Sequence, residues 1–156
     1  MITYFLFYIL IIPLCILLHE VGHGIGVVLT SKSHARIYLG NTDEKNKHNF
    51  SVGRLHFHIH WSYSGYCSWN SNLDKRQNFC ALAGGPLMSL LLVFLFISLI
   101  QLVSHGDFRT FINGIIIFNL ITFLLTAMPF TYPRWFGSLG GHPSDGLQLL
   151  RLLRET

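Results

Sequence analysis

The sequence predicts an integral membrane protein of the all-α class, with three transmembrane helices and a small β-hairpin or sheet between the first two. Three observations lead to this fold class. Of the 156 residues, 51% are hydrophobic and only 12% are charged, whereas an average soluble domain carries about 25% charged residues. The mean hydropathy is +0.45. The apolar residues form continuous blocks, and three blocks reach the roughly 20 residues that a helix needs to cross a bilayer.

The three apolar blocks cover residues 2–29, 79–103 and 108–130. The first contains Pro13, which predicts a kink near its middle. It lacks a basic n-region and a small-residue cleavage site, so we expect a retained helix rather than a signal peptide. The short connector after the second block makes the second and third helices an antiparallel pair. We expect the whole chain, residues 1–156, to be one membrane-embedded domain.

The polar stretch between the first two blocks, residues 31–78, predicts a small β-structure. Strand-forming residues are concentrated at 36–40 and 50–61, and a further strand is expected at 63–69. A charged, Asn-rich turn region separates the first two strands. The tail after the third block, residues 131–156, carries the remaining polar motifs.

Basic residues predict the orientation in the membrane. Seven lysines and arginines lie in the loop 31–78 and three follow the third block, whereas the second connector has only Arg109 at its edge. By the positive-inside rule, the N-terminus is outside, and the β-rich loop and the tail are cytoplasmic. We expect a multi-pass protein of the cell membrane. The net charge of +4 is not arranged in a basic stripe with interleaved aromatics, so nucleic acid is not an expected partner.

The three cysteines do not suggest a disulfide framework or a thiolate metal site. Cys15, Cys67 and Cys80 are scattered and form no Cys-x-x-Cys spacing. Free cysteine behaves as a small hydrophobic residue, so we expect buried, inert thiols.

The first apolar block contains the most informative motif of the chain, His19-Glu20-Val21-Gly22-His23. Ionisable residues inside a membrane segment cost free energy and are functional candidates by default. Two histidines four residues apart lie on nearly the same face of a helix, about 6 Å apart along its axis. Both imidazoles can then bind one zinc ion, with Glu20 placed to accept a proton from a water molecule.

A catalytic zinc site normally needs a third protein ligand, and Asp145 is the candidate. It is the only acidic residue between Asp107 and Glu155, and it precedes an apolar run. From the residues alone, two interpretations stay open. Asp145 either caps the start of a short helix or binds the metal.

Three motifs in this order resemble the site-2 protease family of intramembrane zinc metalloproteases. They are the His-Glu-Val-Gly-His motif, the sequence Ala83-Gly84-Gly85-Pro86 and the distal Asp145-Gly146. Three spans match the minimal core of that family. The resemblance implies that His19, His23 and Asp145 bind zinc and that Glu20 is the catalytic base. It favours the ligand interpretation of Asp145.

The resemblance also concerns residues that would orient the substrate or support the helix packing around the site. The family often has an Asn-x-x-Pro stretch shortly before its Asp-Gly motif, but here Asn119 and Pro129 lie well upstream. For Asn119, orienting the substrate and forming a helix-packing hydrogen bond therefore both stay open. Gly85 and Pro86 are expected to allow close helix packing rather than to act in catalysis. We expect the same of Gly22, Gly24 and Gly26 in the first apolar block.

Alternating histidines in the loop, His56, His58 and His60, share a strand face and raise the alternative of a second metal site. A solvated strand face is the favoured interpretation, because no carboxylate or cysteine accompanies them. The strand region 50–61 also suggests an edge that holds an unfolded peptide by β-augmentation.

The sequence therefore predicts an intramembrane zinc endopeptidase that acts on a membrane protein or a membrane-associated peptide. The small core leaves room for a partner protein that presents the substrate. Two alternatives stay open: a non-catalytic membrane adaptor of the same fold, and a metal-ion transporter. The intact motif argues against the adaptor. The scarcity of polar residues in the second span argues against the transporter.

Overall fold

The computed structural model describes residues 5–69 and 72–154. Within these residues, three helices are long and apolar enough to cross a membrane by length and composition. The first starts with a π-helical turn, Phe7–Ile11, and continues as α1, Ile12–Thr30. The other two are α2, Lys75–Ile100, and α3, Asp107–Ala127. A short helix, α4, follows at Asp145–Arg154.

Two helix ends differ from the predicted ones for local reasons. The second helix begins before the predicted residue 79, because Asp74 and Gln77 form a capping box. The Gln77 N–H donates to Asp74 Oδ1 at 2.8 Å, and the Asp74 N–H donates to Gln77 Oε1 at 3.0 Å. The third helix ends before the predicted residue 130, because Met128 precedes Pro129 and is extended, with ψ at 134°.

The sequence predicts a kink at Pro13, and the structure has a π-helical turn that ends two residues before this proline. Proline has no N–H, so the carbonyl four residues earlier, that of Ile9, loses its α-helical donor. The indole of Trp61 supplies a replacement, because its Nε1–H donates to Ile9 O at 2.7 Å. The loop after the third strand is thereby attached to the beginning of the first helix.

The polar loop folds into a mixed four-stranded sheet with the order β2-β3-β1-β4. Its strands are β1, Ala35–Leu39, β2, Phe50–Val52, β3, Leu55–Ile59, and β4, Gly65–Trp69. β1 pairs with β3 in parallel and with β4 in antiparallel orientation. The predicted strand 50–61 is in fact two strands, which Gly53 separates at φ +58°.

One face of the sheet packs against α1 and forms the buried core with it. Gly24 permits this contact, because a Cβ at that position would lie 3.0 Å from both Ile37 Cδ1 and Leu55 Cδ2. Arg54, directly before β3, donates through Nη2 to Val28 O at 2.5 Å and through Nη1 to Ser31 O. These bonds satisfy carbonyl groups that the end of a helix leaves without intrahelical donors.

α1 and α2 approach each other closely at glycines. A Cβ on Gly22 would collide with the carbonyl of Gly84, and a Cβ on Gly26 would collide with the carbonyl of Cys80. Small residues that let two backbones approach are typical of packed membrane helices. The expectation that glycines near the first motif serve helix packing is confirmed for Gly22 and Gly26.

The segment between α3 and α4 forms a loop whose two ends are bonded to each other. Thr131 and Pro143 form an isolated antiparallel bridge, and the Ser144 N–H donates to Phe130 O at 2.9 Å. Gly146 then lies against the last turn of α3, so closely that a Cβ would collide with the carbonyl of Ala127. The start of α4 is thus held beside the end of α3.

Candidate metal centre

His19 and His23 lie one turn apart on α1 and are both buried, with 5% of their surface exposed. Their rings meet edge to face, with centroids 4.9 Å apart. Asp145 approaches from the start of α4. Its Oδ2 lies 3.5 Å from Nε2 of His19 and 3.4 Å from Nε2 of His23. Side chains that are distant in the sequence therefore converge on one point.

The N-cap of α4 is Ser144, not Asp145. The Leu147 N–H donates to Ser144 Oγ at 3.2 Å, which is the bond of an N-capping side chain. Ser144 Oγ also donates to Met128 O at 2.6 Å. Because this serine performs the capping role, the Asp145 carboxylate is directed towards the two histidines.

The second nitrogen of each histidine is also engaged. His23 Nδ1 lies 2.8 Å from Ala81 O, and His19 Nδ1 lies 2.9 Å from Ser89 Oγ. A carbonyl oxygen only accepts, so His23 Nδ1 carries a proton and Nε2 is the ring nitrogen left to bind a metal ion. Metal-binding histidines commonly have such a partner on the ring nitrogen that does not bind the metal.

The donor spacing fits a metal ion. Ligands about 2.0–2.1 Å from a tetrahedral ion are about 3.3 Å apart, close to the two distances measured from Asp145. In the part of the chain that the structure describes, the three side chains offer ligand atoms within 4.8 Å of one another and form the one such group. Burial raises the pKa of Asp145, but the interactions with His19 and His23 outweigh it and hold that pKa below its usual value. The carboxylate is therefore available as an anionic ligand.

Glu20 lies beside this group, between α1 and the sheet. It interacts electrostatically with His23, His19 and Asp145. On its other side is β4, where a Cβ on Gly65 would lie 2.9 Å from Glu20 Oε1. The carboxylate thus occupies a narrow space next to the three candidate ligands.

Two further side chains, Cys67 and Tyr132, interact electrostatically with the centre, and the sequence had assigned neither of them to it. Burial raises the pKa of Cys67 well above its usual value, and the charges of Glu20 and Asp145 add to that effect. Burial, together with Asp145 and Glu20, raises the pKa of Tyr132 to about 12. Both groups therefore stay neutral at physiological pH. The expectation of a buried thiol is met at Cys67, which is 6% exposed.

Asn119 lies at a helix contact. It is fully buried, and its Nδ2 donates to Cys15 Sγ at 3.2 Å and to Ile115 O at 2.9 Å. Of the two roles left open by the sequence, the structure shows the helix-packing hydrogen bond.

Gly85 contacts the candidate ligands directly, whereas Pro86 is a buried residue inside α2. A Cβ on Gly85 would collide with Nε2 of His23 and would lie 2.7 Å from Nε2 of His19. Gly85 therefore provides the clearance that the two rings need. Neither Ala81 nor Ser89 was assigned to the site from the sequence, although the spacing of four from Ala81 to Gly85 to Ser89 places all three on one helix face.

The histidines of the loop lie on the other face of the sheet. His56 Nε2 is 2.7 Å from His34 Nδ1, and His56 Nδ1 is 2.7 Å from Ser51 Oγ. Burial and the neighbouring imidazoles lower the pKa of His56. His58 and His60 do not join His56 in a metal group among the described residues. The arrangement is a hydrogen-bonded strand face.

Comparison with protein-family models, with curated proteins and with solved structures gives no match for this chain.

Proposed function

We propose that this chain is an intramembrane zinc metalloendopeptidase similar to the site-2 proteases, which hydrolyses peptide bonds in or near a membrane-spanning segment. One observation carries the proposal. Nε2 of His19, Nε2 of His23 and Oδ2 of Asp145 converge, with Glu20 beside them, on a helix that is long and apolar enough to cross a membrane. A helix that crosses a membrane has little other use for the three ionisable side chains that α1 carries, His19, Glu20 and His23.

The location of the centre along α1 supports hydrolysis within the bilayer. His19 and His23 precede the end of the helix at Thr30 by eleven and seven residues, which corresponds to about 10–17 Å. The basic residues of the loop and the tail favour the cytoplasmic side for this end, with the N-terminus outside and the chain in the cell membrane. Water would then reach the centre from the cytoplasm.

Each side chain has a role that follows from its position. His19, His23 and Asp145 would hold the zinc ion, since two imidazole nitrogens and one carboxylate oxygen are a ligand set that zinc accepts. When bound, zinc supplies Lewis acidity, which polarises a carbonyl and activates water. Glu20 accepts the proton of the attacking water and then donates it to the leaving amine.

Among the residues that the structure describes, β4 forms an edge of the sheet, and this edge supports a proposal for how the substrate is held. β4 is the last strand in the order β2-β3-β1-β4, and its first residue, Gly65, lies against Glu20. A peptide that adds to this edge by main-chain hydrogen bonds is extended and lies close to the catalytic base. The sequence had suggested the region 50–61 for this role. However, β3 lies inside the sheet and β2 lies at the opposite edge.

The proposal is tested by comparing membrane peptides that accumulate in cells with wild type and with Glu20→Gln. Peptide fragments that depend on the wild-type chain are expected to disappear, and their uncleaved precursors to accumulate. The purified Glu20→Gln protein is expected to retain zinc, because Glu20 is not a ligand. Cleavage that persists in purified Glu20→Gln protein, or wild-type protein that binds no metal, would overturn the proposal.

The same purified protein separates the alternatives. A peptidase loses cleavage when a chelator removes the metal. A transporter instead moves zinc into sealed vesicles, and this flux does not require Glu20. An adaptor retains its partners in the Glu20→Gln variant and shows no fragment in either form.

A further inference from the structure

Ser89 lies in the middle of α2, is fully buried and directs its hydroxyl towards the metal centre. Other helical hydroxyls of the chain bond to the carbonyl one turn earlier, as Ser98 does with Phe94 O at 3.0 Å and Thr122 with Phe118 O at 2.9 Å. Ser89 Oγ is instead paired with His19 Nδ1 at 2.9 Å. A buried hydroxyl in a membrane helix is therefore used between two helices.

Ser89 belongs to a row of residues on α2 that supports both candidate ligands. Ala81 accepts from His23 Nδ1 through its carbonyl, Gly85 contacts both rings, and Ser89 pairs with His19. These three residues are spaced by four, so they follow one another along one helix face. Ala81 and Ser89 engage the two Nδ1 atoms, and Gly85 between them leaves room for both Nε2 atoms. Each Nε2 then faces Asp145.

The two histidines differ in what determines their tautomer. The partner of His23 is a carbonyl, which can only accept a hydrogen bond. The partner of His19 is a hydroxyl, which can donate or accept. His19 presents a lone pair at Nε2 only if its Nδ1 carries the proton. The Ser89 hydroxyl oxygen then has to accept a hydrogen bond from Nδ1–H.

We propose that Ser89 is a positioning residue, which accepts a hydrogen bond from His19 Nδ1–H and thereby directs Nε2 of His19 to the metal. The inference rests on the proposed function in one respect, that a metal ion binds at His19. Loss of such a partner typically weakens metal binding 10–100-fold. Removing the hydroxyl frees the His19 ring to rotate and to exchange tautomers, whereas His23 keeps its carbonyl partner.

The first experiment measures zinc affinity by chelator competition on the purified full chain in lipid nanodiscs. Ser89→Ala is expected to bind zinc about 10–100-fold more weakly than wild type. Ser89→Thr keeps the hydroxyl and is expected to restore most of that loss. The matched control is Ser98→Ala, which removes a hydroxyl from the same helix away from the metal centre and is expected to leave the affinity unchanged.

The second experiment reads the tautomer directly. The ¹⁵N chemical shifts of His19 in zinc-loaded wild type are expected to show a protonated Nδ1 and a metal-bound Nε2. This measurement needs no variant, so it can refute the inference even if Ser89→Ala does not fold. A metal-bound Nδ1, or equal zinc affinity in wild type and Ser89→Ala, would show the inference to be wrong. Wild-type protein that binds no zinc would instead contradict the proposed function.

Discussion

Gly65 of β4 lies directly against Glu20 of α1. A Cβ on this glycine would be 2.7 Å from Glu20 Cγ and 2.9 Å from Glu20 Oε1, distances that real Cβ atoms do not adopt. The strand that borders the metal centre can therefore approach the proposed base only because it has no side chain at this position. The missing side chain at Gly65 thus lets the sheet pack beside the Glu20 carboxylate.

Gly65→Ala is expected to reduce peptide cleavage on the order of 10–100-fold, because displacing a reacting group by about 1 Å has an effect of this size. Zinc content should remain that of wild type, since the atoms nearest to a Cβ at this position belong to Glu20 and Ile16 and not to a ligand. The measurements are turnover of a membrane peptide and zinc content of the purified protein. Ser68→Ala in the same strand is the control, and equal turnover in Gly65→Ala and wild type would argue against the proposed position of the base.

Asp145 and Ser144 should give opposite results when each is changed alone. Asp145→Asn removes the anionic ligand and is expected to abolish tight zinc binding while α4 still begins at the same residue. Ser144→Ala removes the helix cap and is expected to lower the free energy of unfolding by about 1 kcal/mol with zinc still bound. Zinc content and denaturant unfolding distinguish the two. Retained tight binding in Asp145→Asn would exclude this residue as a ligand.

Gly85→Ala is expected to lose zinc and to lower the free energy of unfolding by roughly 1–3 kcal/mol, the usual effect of overpacking a core. The added methyl group would collide with both histidine rings, and α2 cannot move away because its glycine contact with α1 holds it. Metal analysis and thermal unfolding measure the two effects. Leu87→Ala, on an exposed side of α2, is the control and should bind zinc as wild type does.

Tyr132 should make the fold sensitive to alkaline pH. Its pKa is raised from 10.0 to about 12 in the folded protein, so the unfolded chain loses this proton first. Stability is therefore expected to be unaffected by Tyr132 below pH 10 and to decline as the pH rises from 10 to 12. Tyr132→Phe should remove this part of the decline. Unfolding free energies measured at intervals across that range test the sign, and a decline of equal steepness in both proteins would refute it.

Trp61 should stabilise the attachment of the sheet to the first helix. Trp61→Phe keeps most of the aromatic surface but removes the N–H that reaches Ile9 O, and it is expected to cost about 0.5–1.5 kcal/mol, the net contribution of a typical hydrogen bond. Trp135→Phe is the matched control, since Trp135 is 80% exposed. Denaturant unfolding compares the variants, and a similar small effect of both would show that the Ile9 bond adds little.

The local elements were predictable from the sequence because local patterns specify them. Apolar blocks predicted the three long helices, and β-branched and aromatic runs predicted strands where β1 and β4 lie. The spacing of four between His19 and His23 was sufficient to place both imidazoles on one face of α1. The order of the strands was not predictable, since the parallel pairing of β1 with β3 depends on contacts between distant segments.

The third member of the centre shows the limit of sequence reasoning. From residues alone, a helix cap was the favoured interpretation of Asp145, and a metal ligand was the alternative. The structure separates the roles because the adjacent Ser144 accepts the capping bond. The bridge between Thr131 and Pro143 closes the intervening segment, which returns Asp145 to the end of α3.

The sequence by itself determined which segments are apolar, where the helices and strands lie, and which side chains have the chemistry of a metal ligand. Only the tertiary structure decided that Asp145 meets His19 and His23, that Ser89 and Ala81 engage their Nδ1 atoms, and that Gly65 admits β4 to the side of Glu20. The physical reason is that periodicity and hydropathy act over a few neighbouring residues. Convergence depends instead on close backbone approach and hydrogen bonds between segments far apart in the chain.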